Sequence, residues 1–176
     1  VAKLWGSDTH KLVIREEVAA DHAAISDVIE RAFGKVAAAT LVESLRSRGE
    51  LLISLVAIEG EQIIGHVALS PMTVASGEPG VFAGVAPLSV LPNLQGRGVG
   101  GELVRAAEAL ARSKGVDALF LLRHPGYYPR FGYIESTVAN EYGASDAFMH
   151  LELTKGVLTG VEGPAKYTSA FSQIGV

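Results

Sequence analysis

The chain contains no cysteine. Disulfides, thiolate nucleophiles and cysteine-ligated zinc are excluded together, although that absence does not fix a compartment. Charge is also sparse: charged residues make up 19% of the chain, and the formal net charge of -4 comes without a block of one sign. A broad basic face for nucleic acid is not expected. No apolar run reaches the roughly 20 residues of a membrane span. The opening stretch, "VAKLWGSDTHKLVIREE", lacks the apolar centre of a signal peptide. The expectation is a cytoplasmic protein with no membrane partner. Repeats, linkers and low-complexity segments are missing too. What is present is a globular composition, 48% hydrophobic over 176 residues, enough for one domain with a full core. Residues 1–10 read as a loose leader and residues 11–176 as a single domain.

Hydrophobic periodicity orders the elements. "KLVIREEV" reads as a first strand. Asp21 is placed to cap a helix with an apolar stripe at Ile25, Val28, Ile29, Ala32 and Phe33, stopped by Gly34. A second helix is expected from about Thr40 to Arg48. "LLISLVAIEGEQIIGHVALSPM" gives two β-rich runs around Glu59-Gly60-Glu61-Gln62, a hairpin signal. "VFAGVAPLSVL" is a further strand, and "DALFLL" an apolar run of the kind covered on both faces. Between them lies a helix with Leu103, Ala106, Ala107, Leu110 and Ala111 inward, and Glu102, Arg105, Glu108 and Arg112 toward water. "FMHLEL" and "AKYTSAF" read as the last strands. The strand–helix–strand unit implies a right-handed parallel crossover, and the preceding hairpin makes the sheet mixed α/β.

That helix is preceded by "GRGVGG", Gly96 to Gly101. A helix N-terminus offers unpaired N–H groups and a partial positive charge. Glycines there let an anion reach the backbone. The pattern fits G-x-G-x-x-G, but a nicotinamide site needs an acid at the end of the next strand. That strand's only acid, Asp117, lies at its beginning. The bland alternative is a tight turn with close helix–strand packing.

The wider string "LSVLPNLQGRGVGGELV" contains L-x-V-x-P-x-x-Q-x-x-G-x-G. It resembles the acyl-CoA-binding motif of the GNAT superfamily of N-acyltransferases. Leu88, Val90 and Pro92 match the end of that family's splayed fourth strand; Gln95, Gly98 and Gly100 match its pyrophosphate loop. In "HPGYYPRFGY", Tyr128, Gly132 and Tyr133 match the family's Y-x-x-x-G-F/Y signature. The HP-x-YY-x-RFG version looks like one branch of bacterial acetyltransferases.

The resemblance implies a central twisted sheet with a splayed parallel strand pair and flanking helices. It implies an acetyl-CoA-dependent N-acetyltransferase that acts by direct attack, without an acyl-enzyme. The CoA site it implies comprises Leu88, Ser89, Val90, Gln95, Gly96, Arg97, Gly98, Val99, Gly100, Gly101 and Tyr128. A backbone N–H near Leu88 to Val90 would receive the thioester oxygen, and Pro87 would mark a bulge or the end of pairing. Tyr128 is the implied general acid, with Tyr127 its neighbour.

The general base is not legible, because "VFAGVAPLSVL" carries no carboxylate. His124, just after the fifth strand of the family pattern, is the leading candidate; His66, Glu30 and Glu43 follow. The acceptor is a small-molecule or protein amine, and the acidic net charge fits a cationic one better than an anionic one. Homodimerisation stays open. Two other readings remain: a non-catalytic acyl-CoA-binding module, which the missing carboxylate favours and Tyr128 opposes, and a nicotinamide-dependent oxidoreductase.

Overall fold

The computed structural model describes residues 2–4, 11–75, 79–143 and 147–174. Of the first ten residues, read above as a leader, Ala2–Leu4 forms strand β1 beside the next strand; residues 1 and 5–10 lie outside the described residues. Strand β2 (Lys11–Glu16) leads through a 3-10 turn, Ala19–Asp21, into helix α1 (His22–Phe33). Asp21 stands at the front of α1, yet its side chain caps nothing there. It closes the 3-10 turn, so its carboxylate reaches back to accept the Val18 N–H at 2.8 Å and two Arg15 bonds at 2.7 and 3.1 Å. The Arg15 bond holds its pKa below the usual carboxylate range, against the effect of burial.

Helix α1 buries Ile25, Val28 and Ile29, and Gly34 ends it at φ 70. Phe33, the last residue of the predicted stripe, is 44% exposed. Helix α2 (Ala37–Ser47) begins three residues earlier than expected, because Ala37, Ala38 and Ala39 favour the helix. Then come β3 (Ile53–Glu59), β4 (Gln62–Val74), β5 (Phe82–Val90), α3 (Val99–Ser113), β6 (Ala118–Leu122), β7 (Ile134–Glu135), β8 (Phe148–Glu152) and β9 (Ala165–Tyr167). The expected hairpin is β3–β4, closed at Glu59↔Gln62.

The strands form one sheet in the order β1-β2-β3-β4-β5-β6-β8-β7, with β9 paired to the far end of β4. Strand alternation sends neighbouring side chains to opposite faces. Val67, Leu69, Leu119 and Leu121 pack with Leu103, Val104, Ala107 and Ala111 of α3. Val56 and Ala68 pack on the other face with Ile25 and Ile29 of α1 and Val42 of α2. Each fully buried valine, leucine or isoleucine among them contributes roughly 1.5–3 kcal/mol. Two expected water-facing residues of α3 are largely covered. The Glu102 side chain is 13% exposed. Glu108 buries Oε1 without a hydrogen-bond partner, and burial pushes its pKa up to about 7.

The β5–β6 pair sets up the site. It is parallel, but pairing covers only Phe82↔Ala118, Ala83↔Leu119 and Gly84↔Phe120. On its other side β5 pairs with β4, Val67 opposite Leu88 and Leu69 opposite Val85, so β5 carries one extra residue. Pro87 lies inside this bulge, where a residue without an N–H is tolerated. The bend carries β5 away from β6, and from Val85 to Val90 its inner edge has no strand partner on the β6 side.

Candidate active site

The parted strands open into a cavity of about 690 Å³. One wall is β5 from Val85 to Val90 with the glycine loop, and another is the segment from Leu122 to Arg130. The front of α2 and the C-terminal residues Tyr167, Phe171 and Ile174 complete it.

The loop is tied to β5 by its own side chain: Gln95 Nε2 donates to Val90 O at 3.0 Å. Gly98 caps α3 at φ 87, a backbone conformation that side chains disfavour. The first helical bond runs from Glu102 N to Gly98 O at 3.1 Å. The N–H groups of Val99, Gly100 and Gly101 therefore have no acceptor within the helix. Gly100 differs from Gly98. It is helical, and a Cβ built on it would meet the Tyr127 hydroxyl at 3.5 Å and Leu88 and Val90 at 3.8 Å, all ordinary contacts. Nothing in the protein itself requires a glycine there.

Of the residues expected to hold CoA, Leu88, Val90, Gln95, Gly96, Gly98, Val99, Gly100 and Tyr128 line the cavity. Arg97 is exposed on the loop, and Ser89 is buried in the sheet. Gly101 is buried against the Phe131 ring, 3.3 Å from its would-be Cβ.

The two adjacent tyrosines occupy different places. Tyr127 leans over the helix front, under the Arg130 guanidinium at 4.5 Å and edge-on to Phe131. Tyr128 is the deeper one, buried and edge-on to Tyr133 at 5.7 Å. Burial, and then Tyr127, pushes its hydroxyl up to about 12. It stays a neutral proton donor across the physiological range.

The candidate bases separate. His124 lines the cavity in a left-handed conformation, φ 53. Glu30 and Glu43 line a separate hollow with His22, Asp27 and Arg46. His66 is fully buried between the sheet and α1–α2, with Nε2 2.8 Å from Ser54 Oγ. Ser54 in turn donates to Glu17, which Arg46 holds by bonds of 2.9 and 2.8 Å. One position of β5 is closed to any side chain: a Cβ on Gly84 would collide with the Tyr167 ring. Asp117, the acid weighed for the nicotinamide pattern, accepts the Val81 N–H and the Thr154 hydroxyl, both at 2.8 Å, and so locks strand ends together.

The His66 cluster has a consequence for stability. Burial pushes the His66 pKa down to about 4. The folded value lies below that of the unfolded chain, so stability is present above about pH 6.5 and is lost as pH falls toward the folded value. For a shift of this size the loss between pH 7 and pH 4.5 is roughly 2–3 kcal/mol. Urea unfolding should show it, and His66→Gln should reduce the acid sensitivity. An identical pH slope in the variant would assign that sensitivity to other groups.

Residues 22–133 match the model of the acetyltransferase (GNAT) family. The chain is 34% identical over 168 residues to the uncharacterized N-acetyltransferase YhbS of Escherichia coli (strain K12), covering 92% of this chain and 99% of that protein. Its fold matches the crystal structure of YhbS from Escherichia coli in complex with CoA, with a TM-score of 0.90 at 31% identity over 98% of both chains. It also matches a GNAT family acetyltransferase from Brucella melitensis in complex with acetyl-CoA, with a TM-score of 0.78 at 35% identity, over 91% of this chain and 97% of that one.

Proposed function

The chain belongs to the GNAT acetyltransferase family, and we propose that it moves the acetyl group of acetyl-CoA directly to an amine, binding CoA in the cleft between β5 and β6. The observation that carries this is the splay itself. Pairing ends at Gly84↔Phe120, and the freed edge of β5 runs straight into the glycine loop. An amide-rich arm can add to that edge as a strand would, while a pyrophosphate meets the N–H groups at the front of α3. The catalytic unit is one domain, residues 11–176.

Each residue has a task in this reading. The N–H groups of Val99, Gly100 and Gly101 receive the phosphates. A backbone N–H between Leu88 and Val90 stabilises the charge that develops on the thioester oxygen. Tyr128 hands its proton to the departing sulfur, and His124 takes the proton of the attacking amine. The amine nitrogen bonds to the thioester carbon, the carbon–sulfur bond breaks, and CoA leaves as the thiol.

Acetyl-CoA should raise the melting temperature, by roughly 5–10 °C at a hundredfold excess over Kd, and should release free thiol with a suitable amine. NAD should do neither. A shift with NAD and none with acetyl-CoA would reverse the assignment.

A further inference from the structure

The cavity carries a charge opposite to that of the whole chain. Among the described residues no aspartate or glutamate lines it, whereas Lys35, Arg123 and Arg130 do. Arg130 belongs to the helix-front side, stacked on Tyr127. Lys35 stands just before α2, and Arg123 stands directly after β6, at the other end of the Leu122–Arg130 wall from Arg130. There Arg123 acts electrostatically on Tyr167: burial, with Tyr142 and Tyr128, raises the Tyr167 hydroxyl well above its ordinary pKa, and Arg123 opposes that rise. Phe33, Leu41, Leu122, Tyr167 and Phe171 add apolar lining to the same cavity.

Backbone strain marks the same place. Among the described residues the non-glycine residues with positive φ are Arg123 at 96° and His124 at 53°. Such conformations are unfavourable for side chains and gather at functional sites. Both belong to the cavity, and the left-handed turn follows directly on the last residue of β6.

We propose that the acceptor is an amine built on an apolar, preferably aromatic, body that also carries a carboxylate, with Arg123 holding the carboxylate and Lys35 adding charge at the mouth. This rests on the acetyltransferase reading above. A guanidinium fork matches a carboxylate in two hydrogen bonds. The aromatic wall accepts the body, and the amine is left to point toward the β5 edge and Tyr128. A polycationic acceptor such as a lysine-rich peptide finds no counter-charge here.

The test uses thiol release from acetyl-CoA. The acids are L-phenylalanine and L-leucine; the controls are L-phenylalaninamide, phenethylamine and a lysine-rich peptide. At least tenfold higher kcat/KM is expected for the acids than for phenylalaninamide and phenethylamine, and this gap should shrink toward unity in Arg123→Gln. Arg123→Gly is the second variant: glycine accepts the positive φ, so a loss of the acid preference there cannot come from backbone strain. Both variants should bind CoA as wild type does, read by calorimetric titration. The proposal is overturned if the amide, phenethylamine or the peptide is used as well as the acids, or if Arg123→Gly loses CoA affinity instead. It is also overturned if the acids are inert while wild type still binds acetyl-CoA. If wild type binds no acetyl-CoA, the acetyltransferase reading fails and takes the proposal with it.

Discussion

Replacing Gly100 with alanine is expected to leave the folded protein at least as stable as wild type, and yet to remove most of its stabilisation by acetyl-CoA. The two halves of this result separate the demands of the fold from those of the ligand. Gly100 lies in the first turn of α3, and a Cβ there meets only ordinary contacts at 3.5–3.8 Å. Alanine in a helix is favoured over glycine by up to about 1 kcal/mol, so unliganded melting should stay level or rise. The same Cβ would stand at the front of α3, where the proposed function places the phosphates. The melting shift of wild type should therefore shrink sharply in Gly100→Ala and vanish in Gly100→Asp, where a negative charge is added. Differential scanning calorimetry with and without acetyl-CoA reads both. If Gly100→Asp keeps the full shift, the glycine loop does not hold the ligand.

The second large effect is on turnover. Tyr128→Phe keeps a ring of nearly the same size against Tyr127, Phe131 and Tyr133. It removes only the hydroxyl. CoA affinity should change little, while kcat falls by about 10²–10⁴, the usual span for a lost general acid. With the hydroxyl held near 12 by burial, the wild-type rate should not fall from loss of this proton below about pH 10. Tyr127→Phe should cost less than tenfold in kcat, because Tyr127 leans over the helix front instead. If Tyr127→Phe has the large effect and Tyr128→Phe the small one, the acid is Tyr127.

Local chemistry explains which of these features could be read before the fold was known. The unit β5–α3–β6 was legible because its signals are short-ranged: glycines before a helix, a 3.6-residue stripe, an apolar run. The splay was expected from the family resemblance, while Pro87 by itself marked only a bulge or an end of pairing, through its missing N–H. Asp21 was misread because a capping residue and the last residue of a 3-10 turn share one side-chain chemistry; only the backbone path decides what the carboxylate reaches. Glu108 was misread because helical periodicity gives the side of a residue but not the reach of its neighbours. The motif spacing singled out Tyr128 over Tyr127, but their different depths were not legible, since these depend on Tyr133 and Phe131 folding back onto them.

The side of the cavity proposed for the acceptor was the least legible. Its walls come from the end of α1, α2, the end of β6 and the C-terminal segment after β9, all remote in sequence. The strain at Arg123 and His124 leaves no mark in composition, because neither residue announces a positive φ. Net charge is equally uninformative about the cavity: the whole chain carries -4, while Lys35, Arg123 and Arg130 and, among the described residues, no carboxylate line the cavity.

The most direct test of the central claim is residue-resolved amide hydrogen exchange, with and without acetyl-CoA. The account predicts new protection in two stretches that meet at the cleft: the freed edge of β5 between Val85 and Val90, and the N–H groups of Val99, Gly100 and Gly101. Protection confined to the separate hollow around His22, Glu43 and Arg46, or none at all at saturating acetyl-CoA, would contradict it.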